Sequence, residues 1–301
     1  MNRREFARNT GVGLSAIGLM GGQALYAGNN IPKEKKFLKS LKYSMVKTEG
    51  TMLDNFKLIK RLGFDGVELD SPNDFDRDEV IEASKKAKLP IPGVIDSVHW
   101  KDRLTDPDAG VRAKGLDGLK TAIKDAKAYG SSTVLLVPGR VTKEVAYDVA
   151  YKRSQDEIRK VLPMAEEYGV KIAIENVWNM FLFSPLEMAR YIDELESDWV
   201  GAYFDVGNIV NYGWPEHWIR ILGKRIIKVD IKEYSRAIRD KEGPSAGFRP
   251  KLGEGDCDWP EVVKALEEVG YNGWTSAEVR GGGEDRLREI SQNMDKILGL
   301  V

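Results

Sequence analysis

Apolar residues in this chain fall into two alternating patterns. Short continuous runs, bounded by glycine, proline or charged residues, alternate with longer stretches in which apolar positions recur every three or four residues. The short runs read as buried strands and the longer stretches as amphipathic helices. Strands are expected at 41–46 (LKYSMV), 66–69 (GVEL), 91–97 (IPGVIDS) and 133–138 (TVLLVP), then at the segments KIAIE, VGAYFD, IIKVDI and WTSAEV. Helices are expected at 52–62, 76–88, 108–129, 142–168, 184–196, 215–222, 258–269 and 284–298. Ser184-Pro185 and Asp258-Trp259-Pro260 supply an N-cap followed by a first-turn proline. Gly63, Gly130, Gly169 and Gly270 each follow a helical stretch, where a left-handed cap is needed.

Eight strand–helix units in regular alternation imply parallel strands with right-handed crossovers, and they match a single-domain (β/α)8 barrel. The competing fold is an open doubly wound sheet. It would be favoured by a GxGxxG loop after the first strand, and none is present; Gly11-Val12-Gly13 lies in the leader. No linker or low-complexity tract marks a second domain, so residues 31–301 are expected to form the barrel.

The last four apolar runs each end on a carboxylate: Glu175, Asp205, Asp230 and Glu278. In a barrel these acids would stand on neighbouring strands at the C-terminal rim, where barrel active sites are built. Buried acids are costly unless they are paired or bound to a metal. Four converging acids would make a site for one divalent cation. With four carboxylates and no imidazole, its hard oxygen donors favour Mn²⁺ or Mg²⁺ over Zn²⁺.

The net charge of −1 excludes a global field that would attract nucleic acid or an anionic membrane. Two histidines, His99 and His217, are too few for any mechanism needing an imidazole cluster, and the single Cys257 cannot form an internal disulfide. The first 30 residues carry Arg3-Arg4 followed by a Gly-rich, weakly apolar stretch. This pattern resembles a twin-arginine export signal, with a cleavage region near Ala24 and Ala27. A basic, disordered tail or a short amphipathic helix is the other reading. Export would place the protein in the periplasm or otherwise outside the cytoplasm. No cysteine follows the apolar stretch, so no lipid anchor is expected after cleavage.

The segments IAIEN, FDVGN, KRIIKVDIK, LGEGDCDW and GWTSAEV together resemble the xylose-isomerase-like barrel family of sugar (phosphate) isomerases and epimerases, over about residues 38–300. The resemblance implies a cation held by Glu175, Asp205 and Glu278, with a fourth ligand where the family's sugar epimerases usually have histidine and this chain has Asp230. Asp230 is then either a ligand or an acid outside the ligand set, paired with Lys228 or Lys232. The implied reaction is proton transfer through an enediolate, with Glu175 and Glu278 as acid/base groups. A purely ligating role is the alternative for each glutamate. Candidate substrate contacts are His99, Trp100, Glu68, Lys232, Arg236 and Asn208. Packing, capping or surface roles compete for His99, Trp100, Glu68 and Arg236, and charge balance competes for Lys232. Trp178 sits beside the proposed site, His217 reads as a surface residue, and the Arg140 loop and the LGEGD turn are candidates to close over a ligand.

The expected partner is a small sugar or glycoside, non-phosphorylated because export removes the protein from phosphosugars. A homo-oligomer is compatible with the sequence. Two further readings use the same barrel: a lyase that eliminates from a 3-keto-glycoside, and a carbohydrate-binding barrel without chemistry. A zinc endonuclease acting at abasic DNA sites is disfavoured, because such enzymes need several histidines.

Overall fold

The computed structural model describes residues 36–300. Its eight strands are β1 (Phe37–Leu41), β2 (Leu69–Ser71), β3 (Gly93–Asp96), β4 (Thr133–Leu136), β5 (Lys171–Glu175), β6 (Val200–Asp205), β7 (Ile226–Ile231) and β8 (Gly273–Ala277). All pair in parallel in the order β1-β8-β7-β6-β5-β4-β3-β2. The seam between β1 and β2 is shut by a parallel bridge between Lys42 and Glu68. Beside it, the N–H groups of Tyr43 and Glu68 donate to Glu68 O at 2.8 Å and Leu41 O at 2.9 Å. The fold is the (β/α)8 barrel that the alternation implies.

The helical signals act where they were expected. Ser184 Oγ accepts from Glu187 N ahead of Pro185–Asp193, and the Asp258 carboxylate accepts from Glu261 N ahead of Trp259–Glu268. Gly63, Gly130, Gly169 and Gly270 all have positive φ, which glycine adopts without a Cβ penalty. The stretch 142–168 divides into Tyr147–Arg159 and Leu162–Tyr168. Pro163 has no N–H for the preceding turn and starts a new helix. Two short helices follow strands directly, Val206–Val210 after β6 and Arg236–Glu242 after β7; neither is long enough to show a periodic pattern.

The first strand lies earlier than the apolar run suggests. Residues 37–41 (FLKSL) form β1, and Tyr43–Met45 is a 3-10 turn. Lys39 disguises the strand as polar. It is buried, and its ammonium lies 2.6 Å from Asp295 Oδ1 and donates to Ser291 O at 3.1 Å and Ser291 Oγ at 2.9 Å. These contacts clasp the last helix, Glu284–Ile297, to β1.

Outward-facing strand residues pack on the helices in one large apolar cluster, whereas Leu135, Ala173 and Tyr203 form a small separate cluster inside the barrel. Among the described residues no helix is long and apolar enough to cross a membrane. The expected leader, residues 1–30, lies outside the described residues.

The clasp on the last helix gives a stability test. Lys39→Ala should cost about 2–4 kcal/mol, because Asp295 and the Ser291 carbonyl lose a buried ammonium partner. Chemical denaturation measures this, and a loss well under about 1 kcal/mol would show that the clasp contributes little.

Candidate functional site

Side chains alternate across a strand with a period of two. Fixing Glu175 inward therefore fixes Ala173 inward on β5. In the same way Asp205 brings Tyr203, Asp230 brings Lys228 and Glu278 brings Ser276. The register sets Asp205 beside Asp230 and Asp230 beside Ser276. Glu278 stands one residue past β8, with its N–H donating to Ile231 O at 3.1 Å. The result is convergence: Glu175, Asp205, Asp230 and Glu278 each offer a carboxylate oxygen, and these four atoms lie within 4.8 Å of one another.

Three lysines share the same interior. Lys232 Nζ spans Asp205 Oδ2 at 2.8 Å and Glu278 Oε1 at 3.2 Å. Lys42 Nζ lies 3.0 Å from Asp230 Oδ2, 3.2 Å from Glu68 Oε2 and 3.3 Å from Tyr203 Oη. Lys228 pairs with Glu68, and the Tyr203 hydroxyl donates to Glu68 Oε2 at 2.8 Å. Gly93 makes room for the Lys228–Glu68 pair: a Cβ there would clash with Lys228 Nζ and sit 3.0 Å from Glu68 Oε1.

The acids fit a divalent cation. Asp205 Oδ1 accepts from Asn208 N at 2.8 Å, which fixes the carboxylate and turns Oδ2 to the cluster. Asp230 Oδ1 is buried with no hydrogen-bond partner, while Oδ2 faces Lys42. An orphaned carboxylate oxygen among three other acids suits a hard cation.

Without a cation the acids are unequal. Burial pushes Glu175 well up, and the charge of Glu278 adds to it. Asp230 is also raised by burial, against the pull of Lys42, and Asp205 is raised by burial against Lys232. Burial would raise Glu278 too, but Lys232 and Lys42 outweigh it and hold this carboxyl at about 2. One glutamate of the pair is thus held ionised and the other is driven toward its protonated form.

A cavity of about 490 Å³ opens above the cluster, lined in part by Lys42, Asp70, Asp96, His99, Trp100, Glu175 and Glu278. His99 is buried in its wall. Its Nδ1 accepts from Val137 N at 3.3 Å, leaving the ring proton on Nε2 as a donor. Trp100 is 47% exposed and stands edge-on to His99. Lys232 reaches the acids rather than the cavity wall.

The other candidates have partners within the protein. Glu68 precedes β2 instead of ending it, so it lies beneath the cluster as the partner of Lys42 and Lys228. The Arg236 side chain donates to Val210 O at 3.0 Å and Gly213 O at 2.7 Å, stapling the loop after β6. Asn208 Nδ2 donates to Asn176 O at 3.0 Å, joining the loops after β5 and β6. Trp178 Nε1 donates to Asn208 O and its ring packs on Tyr234 and Phe248. His217 is exposed.

The LGEGD turn wraps a buried acid. Buried Glu233 accepts from Gly253 N at 2.7 Å, Cys257 N at 3.2 Å and Trp259 Nε1 at 2.9 Å. A Cβ at Gly255 would lie 2.5 Å from Glu233 Oε1, so the glycine is needed for this approach. The backbone of Arg140 is likewise held, by Thr105 Oγ1 at 2.9 Å.

Sequence reading missed Lys42, Tyr203, Lys228's pairing with Glu68, Asp70 and Asp96. Period-two alternation counted back from Asp205 and Asp230 would have turned Tyr203 and Lys228 inward. Lys42 was hidden by the misplaced first strand.

A family model described as "Xylose isomerase-like TIM barrel" matches residues 56–297. The chain is 25% identical over 261 residues to L-ribulose-5-phosphate 3-epimerase UlaE of Escherichia coli strain SMS-3-5, covering 81% of this chain and 87% of that protein. Among solved structures it resembles a D-tagatose 3-epimerase-like protein at TM-score 0.74 and 20% identity, covering 88% of this chain and 98% of the other. It also resembles the 3-keto-D-glucoside 4-epimerase YcjR of E. coli at TM-score 0.71 and 18% identity, covering 88% and 99%. At these identities the two structures bear on the fold alone.

The buried imidazole gives a pH test. Burial lowers His99 to about 3, against an unfolded value of about 6.5. A lowered folded value means that the unfolded chain binds the extra proton first. The stabilising contribution is therefore whole above about pH 6.5 and is lost as pH falls toward 3. Between pH 7.5 and 5 the wild type should lose about 2 kcal/mol that His99→Gln does not. Asp96, raised by burial to about 7, acts in the opposite sense but is present in both proteins. Denaturation midpoints at the two pH values measure the difference, and equal slopes would refute the assignment.

Proposed function

The chain belongs to the xylose isomerase-like TIM barrel family, and from that premise we propose that it is a divalent-cation-dependent sugar isomerase or epimerase acting on a non-phosphorylated sugar or glycoside. The observation that carries this reading is the meeting of four strand-end carboxylates at the floor of an open cavity. Mn²⁺ and Mg²⁺ suit that oxygen set better than Zn²⁺. When bound, the cation would polarise a substrate carbonyl and its neighbouring hydroxyl.

The chain's own groups do the rest. Glu175 and Glu278 both line the cavity. One of the two removes the proton beside the carbonyl, and the other returns a proton to the enediolate of the substrate. His99 Nε2–H offers a neutral donor to a substrate oxygen, and Trp100 offers an aromatic face to sugar C–H groups.

The cavity wall supports a neutral substrate. Asp70, Asp96, Glu175 and Glu278 line it, and the Lys42 ammonium is already engaged by Asp230, Glu68 and Tyr203. Among the lining residues Lys42 is the only cationic side chain, so a phosphate group would meet no unengaged ammonium there. Export through the twin-arginine pattern at Arg3-Arg4, on residues outside those described, belongs to the same proposal and agrees with a free sugar.

Proton exchange tests the reading. Incubated with candidate ketoses and 3-keto-glycosides in D₂O, the protein should incorporate deuterium at one carbon, and EDTA should stop it. Glu278→Gln should slow exchange by about 10²–10⁴-fold while the fold persists. Absence of exchange across the sugar set would leave a binding barrel without chemistry. Release of the aglycone from a keto-glycoside, seen by chromatography, would replace epimerisation with elimination.

A further inference from the structure

Asp230 makes the proposed ligand set four carboxylates, with no neutral side chain among them. A compensating charge lies in contact with it: Lys42 Nζ is 3.0 Å from Asp230 Oδ2, and both groups are fully buried. The remaining donors of Lys42 are taken by Glu68 and Tyr203. Its ammonium is therefore held against Asp230 at the floor of the cavity.

Contacts link eight charged side chains into one interior set. The acids are Glu68, Glu175, Asp205, Asp230 and Glu278, and the bases are Lys42, Lys228 and Lys232. A bound cation requires its carboxylate ligands deprotonated, and five carboxylates against three ammoniums then leave two negative charges. That surplus equals the charge of a divalent cation. We propose that Lys42 is the specificity-determining residue for cation charge, pairing with Asp230 so that the two together present one neutral ligand and the site balances a doubly charged ion. Asp230 Oδ1, which has no partner, is the oxygen so presented. This inference rests on the cation-dependent reading above.

The pairing separates cation charge from cation chemistry, because Mn²⁺ and Tb³⁺ both prefer oxygen ligands and differ by one charge. EDTA-stripped protein is titrated with MnCl₂ and with TbCl₃ by calorimetry, and Tb³⁺ is also followed by luminescence sensitised by nearby aromatic side chains. The ratio of the two dissociation constants is the readout. Lys42→Met leaves one more negative charge and should shift the ratio toward Tb³⁺ by on the order of tenfold. Glu68→Gln, which touches Lys42 but is not among the four cluster acids, should shift it toward Mn²⁺. Lys42→Met with Glu68→Gln restores the surplus of two and should return the ratio to the wild-type value.

If the wild type binds neither ion, the cation-dependent reading falls, and this inference falls with it. Should the wild type bind Mn²⁺ while the ratio is the same in all variants, only the role of Lys42 is overturned. Where Lys42→Met does not fold, Glu68→Gln alone decides: a ratio unmoved or moved toward Tb³⁺ contradicts the charge balance.

Discussion

Four carboxylates gathered within a few ångströms inside a barrel repel one another and lose their hydration, and the interior has to offset both. Here Lys42 and Lys232 each touch cluster acids, and Lys228 pairs with Glu68 beneath them. Without them the cluster would have to take up protons or break apart, since like charges in a low-dielectric interior cannot all stay ionised. The architecture follows from this constraint. Gly93 is bare where Lys228 meets Glu68, Asn208 fixes one oxygen of Asp205, and the closing bridge of the barrel joins Lys42 to Glu68, two members of the same network.

Site and scaffold are therefore hard to separate in this molecule. The β1–β2 seam, with its single bridge, is also the place where the network crosses between strands. Lys42 Nζ connects Glu68 beside β2, Tyr203 on β6 and Asp230 on β7. Above this floor the cavity keeps a polar wall of Asp70, Asp96 and His99, with Trp100 exposed at its edge. Loops beyond the rim are tied by hydrogen bonds to buried side chains and to one another. Glu233 gathers the LGEGD backbone, and Arg236 fixes the loop after β6. The floor carries the chemistry proposed for this barrel.

Much of this was legible in the sequence, for identifiable reasons. The segments KIAIE, VGAYFD and IIKVDI coincide with β5, β6 and β7 because buried parallel strands require continuous apolar runs, so their terminal acids were placed correctly. The helix caps were legible because Ser184, Asp258 and the four glycines act through local backbone geometry. β1 was misplaced because Lys39, a charged residue in a strand, finds its partners some 250 positions later on the last helix, which no local pattern encodes. Glu68, Arg236 and Asn208 looked like substrate groups because they neighbour the right strands. Only their three-dimensional partners show them bound to lysines and carbonyls. Lys42 is the reverse case, a residue without any motif whose position inside the barrel makes it part of the site.

The central claim is that Glu175, Asp205, Asp230 and Glu278 together hold one divalent cation. Mn²⁺ titration of the EDTA-stripped protein, followed by the electron paramagnetic resonance signal of free Mn²⁺, tests it most directly. One ion bound per chain in the wild type, with binding lost in Asp205→Asn, is the result this structure predicts. An undiminished free-ion signal in the wild type, or equal binding in the variant, would contradict it.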